Sequence, residues 1–237
     1  MSIFRNSYSI GAEGGWMNNW QIGSFQLVCK CPVPAGSGSS GIGALFYEVE
    51  KNKYISFGMK IGLEHQSTSS STTVRDTAVI TYIQQDSVAS GAFTITRKVD
   101  VSATYFFFAP YLKASPFGEG LFIQIAAEYG ILTSSRLTHA RIAPNMITLS
   151  NGQAIKNVKF ENGSQQEVLQ DGSIPDVRNS RIALLFGIGY DIPIFTNFSL
   201  LPQASYNYPL TELTTNPNES GWKISSFVLM LGLKYKI

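Results

Sequence analysis

The sequence predicts an all-β fold: an eight-stranded antiparallel up-and-down transmembrane β-barrel with short periplasmic turns and long extracellular loops. Three observations predict it. Apolar and polar residues alternate with period 2 over stretches of strand length, which marks a pleated strand with one apolar and one polar face. Charged residues make up 14% of the 237, well below the roughly 25% of soluble domains, yet no apolar run approaches the 18 or so residues of a membrane helix. Finally, the connections between strand segments alternate between long and short, a polarity that outer-membrane barrels have and soluble sandwiches do not require.

The last segment shows the alternation most fully. Phe227, Leu229, Leu231, Leu233, Tyr235 and Ile237 share one face, while Ser226, Val228, Met230, Gly232, Lys234 and Lys236 lie on the other. A soluble sheet buries its apolar face. A face of glycine and lysine opposite unbroken Leu and Phe instead suits apolar residues toward lipid and polar ones toward a lumen.

Seven further segments complete the set. Ser7–Trp16 places Tyr8, Ile10, Ala12 and Trp16 opposite Ser9, Gly11, Glu13 and Gly15, with glycines relieving crowding inside a curved wall. Gly41–Val49 carries Leu45, Tyr47 and Val49 against Ala44, Phe46 and Glu48. Tyr54–His65 is the cleanest, with Ile55 to Leu63 outward and Ser56, Gly58, Lys60, Gly62 and Glu64 inward. Val101–Ala114 is apolar on both faces through Tyr105–Phe108, and Pro110 demands a break in its hydrogen bonding. Gly120–Leu132, Arg181–Asp191 and Phe198–Tyr208 follow the same rule.

The expected chain is a single domain over 1–237, with long loops at about 17–40, 66–100, 133–180 and 211–221. Short turns fall at Glu50–Lys53, Ser115–Glu119 and Ile192–Asn197. Ser67–Thr73 is a Ser/Thr tract, and Thr77–Ile83 and Gly91–Thr96 alternate, so a hairpin should carry strands three and four above the membrane. Asn151–Asn179, rich in Asn, Gly, Gln and Asp, is expected to be partly disordered. Rings near strand ends suggest two aromatic girdles; Trp16, Trp20, Tyr190, Tyr208, Trp222 and Tyr235 are among them.

The pleat turns Glu13, Glu48, Lys60, Glu64, Glu128 and Lys234 inward, with Lys113 beside them. Eight strands enclose an interior that side chains just fill, so these charges should pair into a structural ionic cluster, with Lys234 among Glu13, Glu48 and Glu128 and Lys236 at the periplasmic mouth. Cys29 and Cys31 flank Lys30; the spacing is awkward for a disulfide and lacks the second pair of a zinc site, leaving two thiols or a strained local bridge. No metal, cofactor or phosphate-loop motif occurs. The net charge of +2 comes from scattered basic residues, which gives no reason to expect nucleic acid. Catalysis would need His65, at the outer rim, or His139, at the base of the third loop. Neither sits in a motif, so no catalytic residue is assigned. Met1–Arg5 has no apolar core and no cleavage site; the outer-membrane reading requires export and so implies a leader already removed, the alternative being a cytosolic protein that never had one.

Several stretches resemble small outer-membrane β-barrels of the Bacteroidetes and Chlorobi type, a group that includes PorT-like barrels. They are Gly43–Val49, Phe108–Lys113 followed by Gly120–Ile123, Gly187–Pro193 and Phe227–Ile237. The resemblance implies an eight-stranded barrel in a Gram-negative outer membrane and no common activity. The ending Tyr235-Lys236-Ile237 departs from the Phe or Trp with which such barrels usually finish. The function expected is non-enzymatic and OmpA-like, structural or anchoring, with a protein partner reached through the surface loops and outer-membrane lipids and lipopolysaccharide around the wall. The alternatives are a lipid-modifying enzyme at the rim, a narrow pore or secretion-system component, and a soluble lipocalin-like barrel, which would need the opposite polarity.

Overall fold

The computed structural model describes residues 7–26, 32–33, 35–82, 87–118, 120–148, 154–160, 163–216 and 220–237. Eight long strands form the wall: β1 (Ser7–Gln26), β2 (Ser37–Glu50), β3 (Ile55–Tyr82), β4 (Ser87–Ala114), β5 (Leu121–Ile142), β6 (Ser180–Tyr190), β7 (Phe198–Pro209) and β8 (Ser220–Lys236). Each pairs antiparallel with the next in sequence. β8 then pairs with β1, from Ser9 opposite Lys236 to Trp16 opposite Leu229 and on to Ser24 opposite Ser220. The ring is closed, and no wall strand is left with an open edge at the level of this seam.

Alternation fixes which way each side chain points. Outward lie Ile55, Phe57, Met59, Ile61 and Leu63 on β3 and Phe227, Leu229, Leu231 and Leu233 on β8, all exposed. Inward lie Ser56, Lys60 and Glu64, all buried. The outward apolar row of β3 covers Ile55–Leu63, about the 9–11 residues a tilted membrane strand needs. The register of β4, which periodicity alone left open, places Tyr105, Phe107, Ala109 and Tyr111 inside and Phe106, Phe108 and Leu112 outside. The β4–β5 ladder skips Ala109 and Pro110 between the pairs Phe108–Tyr129 and Tyr111–Ala126, because proline has no N–H to give.

Two inward glycines make room for aromatic rings. A Cβ on Gly11 would lie 2.2 Å from the ring of Phe46, and one on Gly58 would lie 2.5 Å from the ring of Tyr111. The interior is therefore large beside small, as a narrow barrel requires.

The long-loop boundaries differ from expectation. Residues 17–26, 37–40, 66–82, 87–100 and 133–142 are strand, not loop. The apolar/polar contrast stops at the membrane edge, but β-propensity does not; Ser and Thr continue the pleat in water. The hairpin expected above the membrane runs in unbroken register from Ile55–Ala114 to Tyr82–Ser87. Above the wall, β4 stays paired with β5 after a bulge at Thr133, and the short strand Gln166–Gly172 adds to the far side of β5. The third loop is more structured than its composition suggested: Met146–Thr148 pairs with Ala154–Lys156, and Lys159–Phe160 pairs with Ile80–Thr81. Trp222 is no part of a girdle; it is 1% exposed and points into the barrel mouth, on the inward phase of β8 with Ile224. Girdle contacts do form elsewhere, with Tyr8 stacked on Tyr47 and Phe198 against Tyr235 at one end and Trp20 stacked on Tyr206 toward the other.

Replacing Leu231 by Arg at the lipid-facing midplane should lower unfolding stability in lipid vesicles by about 2–4 kcal/mol, read from urea titrations. A cost near zero would mean that Leu231 does not face hydrocarbon.

Candidate functional site

The lumen is the site, because within the lipid belt alternation sends the charged residues of the wall there. Its polar groups lie in layers. At the end closed by the short turns, Lys113 Nζ lies 2.7 Å from Glu48 Oε1, and the Tyr111 hydroxyl donates to Glu48 Oε2 at 3.0 Å. Lys234 pairs with Asp191, lies 3.2 Å from Glu50 and reaches Glu48 at 3.8 Å. Lys236 closes the mouth on Glu50 at 3.1 Å. The expected placement of Lys234 among Glu13 and Glu128 is thus corrected. It meets Glu48 as expected, but its other partners come from the mouth, because the stagger of the ring sets Glu13 and Glu128 farther up the wall.

One step up, Lys60 Nζ sits 2.8 Å from Glu13 Oε1, and Gln203 donates to Glu13 Oε2 at 2.6 Å. The ammonium also lies 5.3 Å above the Tyr111 ring, a further favourable contact for a cation out of water. An apolar layer follows, made by Ala44, Phe107, Ala109, Ala126 and Leu185.

The third polar layer belongs to β3, β5 and β6. Arg181 holds Glu64 in a bidentate pair at 3.1 and 2.7 Å and also bonds Glu128. Its guanidinium lies 4.7 Å over the Tyr105 ring, and Gln66 donates to Glu64 at 2.7 Å. Glu64, Glu128 and Arg181 are all buried. Two carboxylates on one planar fork is an arrangement arginine supports and lysine does not. Sequence reasoning missed Arg181, Asp191, Gln66 and Gln203. Arg181 sits at the very start of its strand, but its parity with Ala183 and Leu185 on the inward face was the available signal.

Above this layer, Asn19 links Ser40 and Ser226 at 2.7 Å each, and Gln21 donates to Thr68 at 2.8 Å. The mouth is then covered by an apolar cap: Ile174 and Leu213, from the third and fourth long loops, pack with Val99, Leu137, Trp222 and Ile224. Backbone bonds tie the two loops together, Arg178 N–H to Leu213 O at 2.8 Å and Thr215 N–H to Asp176 O at 2.8 Å.

The histidines lie apart from these layers. His65 faces outward at the rim, its Nδ1 2.9 Å from the Thr104 hydroxyl. His139 is buried on the inner phase of β5, opposite Val99 at the level of the cap, not solvated in a loop as its position suggested. Among the described residues no group of three or more His, Cys, Asp or Glu side chains could hold a metal. Cys29 and Cys31 lie outside the described residues.

A closed ring with an apolar exterior and an ionic interior is the surface of a barrel that crosses a bacterial outer membrane, where every backbone polar group must be satisfied within the wall. The short turns then face the periplasm and the long-strand end the exterior. No family profile matches the chain, and no curated protein does either. Among solved structures, the chain is similar to Ail, the attachment invasion locus protein of Yersinia pestis, at 12% identity and TM-score 0.35 over 98% of this chain and 99% of that one. Neisserial surface protein A gives 10% identity and 0.35 over 98% and 99%. The outer membrane protease OmpT of Escherichia coli gives 9% and 0.37 over 98% and 97%. Values this low carry no argument about family or activity.

Arg181→Met should destabilise the barrel by about 3–5 kcal/mol, since it strands two buried carboxylates. Adding Glu64→Gln and Glu128→Gln should recover most of that loss. Thermal unfolding in vesicles checks both, and a triple variant no more stable than the single one would contradict the pairing.

Proposed function

We propose that the chain is a non-enzymatic, OmpA-like outer-membrane barrel that serves as a rigid anchor and presents its extracellular strands and loops to partners. The sealed lumen carries this reading. The interior gap lined by Glu13, Glu48, Lys60, Tyr111 and Lys113 has a volume of about 10 Å³, roughly the space of one water. Ionic layers fill the wall from the periplasmic mouth upward, and the apolar cap covers the other end. A conduction path would have to break paired charges that are expensive to strand.

The non-enzymatic part of the proposal is supported by the setting of His65. Its ring nitrogen meets the Thr104 hydroxyl, not a carboxylate that would orient it as a base. The protein partner belongs to the proposal too, and the PorT-like resemblance of the sequence makes a component of an envelope assembly the partner to test first.

Planar-bilayer recordings test the anchor reading. The full chain should give no stable openings at moderate voltage, and Arg181→Met should begin to flicker as its layer loosens. Steady large openings in the unaltered protein would favour the pore alternative.

A further inference from the structure

Three strands continue the wall outward after the lipid-facing rows end, and their outer face changes character at one level. On β3 the outward series passes from Leu63 to His65 and then to Ser67, Ser69, Ser71 and Thr73. On β4 it passes from Phe106 to Thr104 and Ser102, and on β5 from Ile131 to Ser134, Arg136 and Thr138. The rows align across the sheet: Ser67, Ser102 and Arg136 form one, and Ser69, Asp100 and Thr138 the next. Between the lipid edge and Thr73 the outward positions of β3 and β4 are all polar; on β5 buried Ala140, opposite Lys98, interrupts the row, with exposed Val168 of the added strand beside it. The charges on it neutralise one another. Lys98 pairs with Asp100 at 2.9 Å, and Arg136 forms a bidentate pair with Asp171 at 2.8 Å. The Arg136 hydrogen bond holds the Asp171 carboxyl below its usual range. A hydroxyl-carpeted, nearly neutral sheet face remains.

Two features say what covers it. The face is continuous with the lipid-contact surface: the molecule whose chains lie on Leu63, Phe106 and Ile131 must carry its headgroup past His65, Thr104 and Ser134. The face is also tall. Eight residue steps from His65 to Thr73, at about 3.3 Å each and 35–45° of tilt, rise ~20 Å. A phospholipid headgroup layer is only about 5–8 Å deep. A headgroup that reaches the upper rows must be an extended chain of hydrogen-bonding units.

We propose that the outer face of β3, β4 and β5 above the lipid belt binds the neutral saccharide of outer-leaflet glycolipids, taking sugar hydroxyls against the Ser/Thr rows. The inference rests on the membrane orientation used in the anchor reading and adds a ligand class and a site to it. Because the charges on the face are internally paired, contact comes from hydroxyl hydrogen bonding and not from lipid phosphate.

The test uses the full chain in vesicles of phospholipid alone, of phospholipid with lipopolysaccharide truncated to its innermost sugars, and of phospholipid with full-core lipopolysaccharide. The readout is the temperature at which the folded band disappears on unheated gels. Full core should raise it by about 5 °C over the truncated form. That rise should survive about 1 M salt, which screens phosphate contacts, and should fall by more than half in the combined Ser69→Ala, Ser71→Ala, Ser102→Ala variant, whose midpoint in phospholipid alone stays unchanged. Equal midpoints in the two lipopolysaccharides, a rise abolished by salt, or a rise kept by the triple variant would each overturn the inference. No folded band in phospholipid alone would overturn the barrel reading and this inference with it; a folded band without the core-dependent rise overturns the inference alone.

Discussion

Hydrocarbon offers no partner to a backbone N–H or C=O, so a β-sheet that enters it must close on itself. In this chain closure falls between Ser7–Gln26 and Ser220–Lys236, the first and last strands of the wall. Once the ring is shut, the pleat leaves each side chain two destinations, lipid or lumen. Within the lipid belt the outward rows are apolar and the charges of the wall take the second. The lumen of an eight-stranded ring is too narrow to hydrate those charges. They must find one another, and the layers of Glu48 with Lys113 and Lys234, Glu13 with Lys60, and Glu64 and Glu128 with Arg181 are the result. The ionic interior is thus a consequence of closure.

Such pairs are weak evidence for stability taken alone, since desolvation offsets much of their attraction. Their effect here is on uniqueness. A one-residue slip of any strand would send its charges into lipid and its leucines into the lumen, so each buried pair penalises the wrong register. The aromatic faces of Tyr111 and Tyr105 against Lys60 and Arg181 add contact that a displaced cation would lose. Rigidity below and variety above then divide the molecule: a locked wall, and outward strands whose surface is free to differ in composition.

The fold was legible where one face had to meet lipid. The outward apolar rows of β3, β5 and β8 are continuous across the belt at period 2, and loop polarity agreed with the count. Legibility failed where that contrast vanished. Ser67–Thr73 is polar on both faces, so nothing in it distinguishes strand from loop, although β3 runs straight through. Tyr105–Phe108 is apolar on both faces, so only the paired neighbours fixed its phase. Inward charges could be assigned by parity, yet their partners could not, because partnership depends on the stagger between strands. Lys234 therefore met Asp191 and Glu50 in addition to Glu48, and Arg181 emerged as the centre of the outermost charged layer.

A nitroxide scan along β8 in lipid, on a background without Cys29 and Cys31, tests the central claim most directly. Labels at 227, 229, 231 and 233 should relax strongly with oxygen, which partitions into hydrocarbon. Labels at 228, 230, 232 and 234 should be shielded from both oxygen and a water-soluble nickel chelate, as a filled lumen requires. Strong nickel relaxation at the even positions would mean a water-filled pore, and accessibility without a period of 2 would contradict the membrane-spanning strand itself.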